Sequence, residues 1–80
     1  MSVKDIVANR FMELCRERGL TVNALATLSG VTPSTVYSLM DSARRDVSLV
    51  TVKKLCDGLE ITLGEFFAVP AFDELEQEIK

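Results

Sequence analysis

The sequence predicts an all-α fold, a compact five-helix bundle followed by a short sixth helix. The main observation is a short phrase: an apolar residue, a Ser or Thr, three further residues and another apolar residue. It occurs at residues 1–6, 20–25, 31–36, 47–52 and 61–66. The hydroxyl can accept a hydrogen bond from a backbone amide of the first helical turn, and the apolar residues can pack together as a hydrophobic staple. Apolar residues also recur at spacings of three and four, and no segment alternates as a strand does.

The first helix is expected to run to about Arg18. Its apolar residues form one stripe, and Gly19 is a typical residue to end a helix. The stripe consists of Val3, Ile6, Val7, Phe11, Leu14 and Cys15. Two of the five phrases also place an acidic residue three positions after the hydroxyl, as in a capping box. These pairs are Ser2 with Asp5 and Thr62 with Glu65.

The second and third helices are each expected to be about eight residues long, with the turn Ser29-Gly30-Val31 between them. Pro33 suits the first position of the third helix, where its missing amide costs nothing. Leu25 and Ala26 are expected to face inward from the second helix, and Val36 and Leu39 from the third. Two short helices joined by such a turn make a helix-turn-helix unit. Pro33, Ser34, Tyr37 and Ser38 are then left pointing away from the core.

The remaining helices follow the same logic. The fourth carries Val52, Leu55, Cys56 and Leu59 inward and is expected to stop near Gly58-Leu59, and the fifth runs from Leu63 to before Pro70. Phe72, Leu75 and Ile79 have helical spacing among acidic residues, which suggests a short sixth helix. We therefore expect a helix-turn-helix domain over residues 1–69 and an acidic tail or short helix over residues 70–80.

Charge is unevenly distributed along the chain. The formal net charge is −3, yet residues 1–69 hold equal numbers of basic and acidic side chains. The deficit comes from residues 70–80, where Lys80 alone stands against Asp73, Glu74, Glu76 and Glu78. Because phosphate contact depends on the local field of one face, this net charge does not exclude a nucleic-acid partner.

Several classes of function are disfavoured. No apolar run approaches the roughly 20 residues that span a bilayer, and Lys4, Asp5 and Arg10 interrupt the region where a signal segment would lie. We therefore expect a cytoplasmic protein without a membrane partner, in which Cys15 and Cys56 are free thiols in the core. Histidine is absent, and neither a Gly-rich phosphate loop nor a nucleophile–base pair is recognisable. No enzymatic activity, metal, cofactor or small-molecule substrate is expected.

The segment GLTVNALATLSGVTPSTVYSLM, followed by VTVKKLCDGLEITLGEFF, resembles the lambda-repressor-like family of helix-turn-helix proteins, also called Cro- or Xre-type. The similarity covers about residues 4–69. It implies a sequence-specific DNA-binding transcriptional regulator. In this family the third helix, here about residues 33–40, reads the major groove of double-stranded DNA, and the second helix crosses the backbone.

The resemblance also implies roles for individual residues. Pro33, Ser34 and Ser38 would lie near base edges, and Thr32, Thr35 and Tyr37 nearer the sugar-phosphate backbone. Arg44 and Arg45 would lie in a phosphate-contacting loop. Thr21 and Asn23, at the start of the second helix, complete the expected interface. The third helix lacks Arg, Lys, Asn and Gln, which make the strongest base contacts, so direct readout should be modest.

Simpler interpretations stand beside these roles. Ser34 and Ser38 could form a solvated helix face, and Arg44 and Arg45 could pair with Asp41 or Asp46. Thr32 is foremost a helix cap, and Lys53 and Lys54 fit the polar side of the fourth helix. The alternative function is a protein-interaction module, anti-repressor-like or antitoxin-like, that keeps the fold without binding DNA.

A homodimer is expected for the DNA-binding function. Helix-turn-helix dimers bind half-sites about one helical turn apart, roughly 34 Å. The aromatic and aliphatic residues near the C-terminus exceed what one small core needs and could supply a pairing surface. They are Phe66, Phe67, Val69 and Phe72.

Overall fold

The computed structural model describes residues 2–41, 43–44 and 46–77. This part of the chain contains only helices and connecting turns, in the order α1 (Val3–Arg18), α2 (Val22–Ser29), α3 (Pro33–Met40), α4 (Leu49–Gly58), α5 (Leu63–Phe67) and α6 (Pro70–Asp73). The predicted all-α bundle, with α2 and α3 as its helix-turn-helix, is confirmed. None of these helices has the length and apolar character that crossing a membrane requires.

A hydroxyl side chain caps the start of each of the first five helices. Every cap accepts a hydrogen bond from the backbone amide three residues further on, as the repeated phrase predicts. The caps are Ser2, Thr21, Thr32, Ser48 and Thr62. Both predicted capping boxes are present. The backbone amides of Ser2 and Thr62 donate to the Asp5 and Glu65 carboxylates at 2.9 and 2.8 Å, which lowers the pKa of each carboxyl group.

Three helices end in the same kind of C-terminal capping turn. After α1, α2 and α4 the chain passes through the left-handed region, at Gly19, Gly30 and Glu60, with φ of 64°, 69° and 59°. The next amide then donates to the carbonyl five residues earlier, at 2.8, 3.1 and 3.0 Å respectively. This arrangement is a Schellman motif, which satisfies carbonyl groups that the helix leaves unpaired. The third motif uses a glutamate where glycine would be unstrained.

Each Schellman motif runs directly into the next helix cap. The apolar residue that follows the left-handed position is half-buried against the core, and a capping threonine comes next. Four residues after each threonine lies a completely buried side chain of the following helix. The three half-buried residues are Leu20, Val31 and Ile61, and the buried residues are Leu25, Val36 and Phe66. Ending one helix and starting the next therefore takes three residues at the first two corners and four at the third.

The core lies between α1 and the four helices that follow it. Cys15 and Cys56 are buried in it as free thiols, and burial raises the pKa of both, so they are protonated at neutral pH. The close packing of α2 on α4 depends on Gly58. A methyl group there would overlap the hydroxyl oxygen of Ser29 and would lie 3.0 Å from its Cα atom, a tighter contact than most in proteins.

The C-terminal aromatic residues pack on one another. Phe66 is 0% exposed, so the expectation that its ring belongs to a dimer surface is wrong. Its ring centroid lies 4.3 Å from that of Phe11, 5.0 Å from that of Phe67 and 6.0 Å from that of Phe72. Phe67, Val69 and Phe72 are half-buried. The cluster joins α1, α5 and α6, which is why one small core needs so many aromatic rings.

The short sixth helix is present but is a single turn. It ends at Asp73, and Leu75 lies beyond it as a half-buried residue. Ile79, which the expected helix would have included, lies outside the described residues. Pro70 starts α6, and its last turn is closed by the amide of Glu74, which donates to the Pro70 carbonyl at 3.1 Å.

Replacing Glu60 by glycine should raise the free energy of unfolding by about 1 kcal/mol. A residue with a Cβ atom pays about 1–2 kcal/mol to adopt the left-handed conformation, and glycine does not. Part of this gain is lost because glycine has more conformational freedom in the unfolded chain. Urea unfolding followed by circular dichroism measures the change. Gly30→Ala is the matched control, since the added methyl would meet no atom within 4 Å and only backbone strain is introduced. Gly30→Ala should lower stability by about 1 kcal/mol. A Glu60→Gly protein less stable than the wild type would contradict the left-handed conformation assigned to Glu60.

Candidate nucleic-acid interface

The third helix presents one face to the core and the other to solvent. Val36 and Leu39 are buried and hold α3 in place, while Pro33, Ser34 and Tyr37 are exposed. Tyr37 leaves 56% of its surface accessible. Ser38, which the sequence places fully outside, is half-buried because it lines a cleft against the following loop.

The hydroxyl groups at the start of α3 are engaged with each other. Thr32 Oγ1 accepts from the backbone amide of Thr35 at 3.3 Å and lies 3.0 Å from Thr35 Oγ1. The prediction that Thr32 is foremost a cap is therefore confirmed. The two hydroxyl groups already hydrogen-bond to each other, so a ligand can contact only the part of each hydroxyl that faces away from the pair.

The start of α2 is also exposed. Thr21 Oγ1 accepts from the amide of Ala24 at 3.0 Å, so this hydroxyl caps its helix as Thr32 does. Asn23 is exposed in the first turn, and its backbone carbonyl accepts a hydrogen bond from Thr27 Oγ1 at 3.0 Å. Unpaired backbone amides and the positive end of the helix dipole make such a first turn favourable for a nearby anion.

Asp41 shapes the start of the loop that follows α3. Its carboxylate accepts from the amide of Ala43 at 2.9 Å, and the Arg44 Nε atom lies 3.7 Å from its other oxygen. The predicted pairing of Arg44 with Asp41 is thus present. Both side chains are well exposed, at 66% for Arg44 and 48% for Asp41. A pair this open to solvent is weak and leaves the guanidinium able to exchange partners. Arg45 lies outside the described residues.

A cleft of about 240 Å³ brings this loop together with α3 and α4. Three of the residues predicted from the sequence line it side by side: Thr35, Ser38 and Arg44. Sequence reasoning missed Ser48 and Thr51, which line its opposite wall from the start of α4. Ser48 is recognisable in the sequence as a cap, but its neighbourhood with Arg44 depends on how α4 packs. The predicted residues Thr21 and Asn23 do not line this cleft.

Three basic side chains of α1 donate hydrogen bonds to backbone carbonyl groups at or near the ends of other helices. Lys4 is 3% exposed, and its ammonium group donates to the Asp41 carbonyl at the end of α3. Arg18 donates to the Leu59 carbonyl at the end of α4, and Arg10 Nε donates to the Phe66 carbonyl in α5 at 3.1 Å. Cations at helix C-termini are favoured by the helix dipole and by the unpaired carbonyl groups.

Because these three cations of α1 bind backbone carbonyl groups, the number of basic residues in the sequence overstates the positive charge available to bind DNA. In α4, Lys53 forms an exposed ion pair with Asp57, and Lys54 is exposed. Arg44, in the loop before α4, lines the cleft beside α3 together with Asp46. The local charge near α3 therefore depends mainly on the loop. Across residues 2–41, 43–44 and 46–77, no three Cys, Asp or Glu side chains are grouped so that they could hold a metal ion.

Comparison with known proteins agrees with this geometry. Residues 10–71 match the family model described as a Cro/C1-type HTH DNA-binding domain. Among solved structures, the one titled "Crystal structure of the prophage Lp1 protein 11" is similar, with a TM-score of 0.83 and 32% sequence identity. The similarity covers 94% of this chain and 100% of that one. A search of curated proteins finds no match.

Replacing Lys4 by methionine should lower the free energy of unfolding by about 1–2 kcal/mol, because the Asp41 carbonyl loses a charged hydrogen-bond donor while an apolar stem still fills the site. Chemical denaturation measures this loss. Lys54→Met is the control, since Lys54 is an exposed lysine of α4 and its replacement should change stability by less than about 0.5 kcal/mol. Equal stability of the two variants would show that the buried ammonium group does not hold the end of α3.

Proposed function

Since the chain belongs to the Cro/C1-type helix-turn-helix family of DNA-binding domains and is thus a DNA-binding regulator, we propose that it recognises particular DNA sequences by placing α3 in the major groove. The observation that carries this proposal is the outward face of α3, which is exposed and continuous with a cleft that holds Arg44. An α-helix fits the major groove, and a cation at its end can meet the adjacent phosphates.

The residues divide into two groups by the chemistry of their side chains. Pro33, Ser34 and Ser38 contact base edges, since they lie on the free face of α3 or at its margin. The second group meets the sugar-phosphate backbone. It consists of Thr21, Asn23, Thr32, Thr35, Tyr37, Arg44 and, outside the described residues, Arg45. Contacts of the second kind fix the position of the protein on DNA without carrying sequence information.

The negative net charge is compatible with this assignment, although DNA is a polyanion and three cations of α1 are already used within the fold. Phosphate binding then depends on few charged side chains, together with the amides and hydroxyls at the starts of α2 and α3. We therefore expect weak binding to random DNA and a shallow dependence of affinity on salt concentration.

Arg44→Ala should weaken binding to every duplex alike, and the slope of log affinity against log salt should fall by about one unit, because one phosphate contact and its counterion release are lost. Titrations of a selected duplex and a random duplex at several salt concentrations measure both effects.

The matched variant for that experiment is Ser34→Ala with Ser38→Ala, which removes hydroxyl groups and no charge. It should leave the salt slope unchanged and narrow the difference between selected and random duplexes by about 1–2 kcal/mol. If the wild type binds no duplex even at low salt, the alternative is correct, and the protein is an interaction module that keeps the fold without binding DNA.

We further propose that the protein binds DNA as a homodimer. The eight residues of α3 span only about 12 Å, less than half the separation of neighbouring half-sites, so one copy reads one half-site. Since the Phe66 ring is buried, we place the pairing surface elsewhere. The most exposed large apolar side chains in the described chain are Leu49 and Val50, each at 64%, at the start of α4 beside the cleft.

Light scattering should therefore give the mass of two chains for the wild type, both free and on a duplex with two half-sites. Leu49→Ser with Val50→Ser should shift the free protein toward one chain, because it removes apolar surface from the interface. The control is Leu28→Ser, which changes a similarly exposed leucine of α2, at 57%, and should leave the mass unchanged. A wild type that remains a single chain under both conditions would contradict the dimer.

A further inference from the structure

The outward face of α3 carries two strips of side chains, one apolar and one bearing hydroxyl groups. Pro33 and Tyr37 are four residues apart, and so are Ser34 and Ser38, so the members of each pair lie on the same side of the helix one turn apart. Pro33, Ser34 and Tyr37 are exposed and Ser38 is half-buried. The helix contains no charged side chain and no side-chain amide.

The hydroxyl strip distinguishes bases only weakly. A serine hydroxyl can donate or accept a hydrogen bond, so it can pair with either kind of group on a base edge. The threonine hydroxyls at the start of α3 are engaged with each other at 3.0 Å. Strong discrimination between bases therefore has to come from the apolar strip or from the shape of the DNA.

An apolar strip in the major groove favours one base. The C5-methyl group of thymine is the apolar group that base pairs display there, whereas the other groups are hydrogen-bond donors and acceptors. Covering those donors and acceptors with a proline or tyrosine ring would remove their water without replacing its hydrogen bonds, which is unfavourable. Covering a methyl group instead removes apolar surface from water, which is favourable.

We propose that Pro33 and Tyr37 read the C5-methyl groups of thymines, so that the preferred duplex carries A·T pairs where this strip meets the major groove. This inference rests on the proposed function, in which α3 lies in that groove. The ring of Tyr37 makes the base contact, and its phenolic hydroxyl, at the far end of the ring, remains able to reach the sugar-phosphate backbone.

The test uses the full chain and a duplex that the wild type enriches from a random-sequence library. Each thymine of the enriched site is replaced in turn by deoxyuridine, which keeps the base pair and removes the methyl group. Affinity should fall about fourfold at each thymine that the strip covers, the loss expected for one buried methyl group. Replacing guanines by 7-deazaguanine, which removes a major-groove acceptor, should change affinity by less than about twofold.

Variants assign the effect to the strip. Tyr37→Ala should bind the thymine and deoxyuridine duplexes equally at one of the sensitive positions, since the ring that covers the methyl group is gone. Tyr37→Phe keeps the ring and should keep the fourfold difference. Ser34→Ala, which changes the hydroxyl strip, should keep it as well. Because Tyr37 and Ser34 are exposed, these variants are expected to fold.

The outcomes separate this inference from the function on which it rests. Specific binding that is insensitive to deoxyuridine, an enriched site without thymine, or a large loss on 7-deazaguanine would overturn methyl recognition while leaving DNA binding intact. Loss of the deoxyuridine effect in Ser34→Ala would assign the contact to the wrong strip and overturn it too. A wild type that binds no duplex at low salt would contradict the proposed function itself.

Discussion

The structure depends on satisfying the ends of short helices. An α-helix leaves four amides unpaired at its start and four carbonyl groups at its end, so in a helix of five to ten residues the unpaired groups rival the internal hydrogen bonds in number. Four of the helices here, α2 to α5, are of this length, which is below the average, and α6 is a single turn. The helices α2 to α5 persist because hydroxyl side chains cap their starts, and left-handed turns and long basic side chains satisfy carbonyl groups at many of their ends.

The helix α1 has a particular part in this arrangement. It is the longest helix, and its cations reach carbonyl groups of α3, α4 and α5. The Arg10 guanidinium also lies 5.9 Å above the buried Phe66 ring, which ties the aromatic cluster to the same helix. One helix thus positions the ends of three others, including the end of α3 from which the Arg44 loop begins. Basic residues that a charge count would assign to DNA are structural in this protein.

The proposed DNA interface is built on α3, which the core and α1 hold in place. Val36 and Leu39 fix α3 from below, and Lys4 holds the carbonyl of Asp41 where the helix ends. Asp41 in turn organises the first turn of the loop and meets Arg44. The proposed base-facing side chains of α3 are hydroxyls, a proline and a tyrosine, and a proposed interface of this kind gains little from any single contact. Its selectivity therefore depends on how firmly the helix is held, which is a property of the core.

Most features that depend on residues within about five positions of one another follow from the sequence alone. The five caps, both capping boxes, the helix ends at Gly19 and Gly30 and the outward face of α3 could be predicted because local hydrogen bonds and helical periodicity fix them. The burial of Lys4, the enclosure of Phe66 and the cleft between Arg44 and α4 depend instead on packing between distant parts of the chain. The bonds of Lys4, Arg18 and Arg10 span 37, 41 and 56 residues. Contacts at such separations leave no periodic trace in the chain. The left-handed conformation of Glu60 was equally hidden, because glycine is the residue that usually marks such a position.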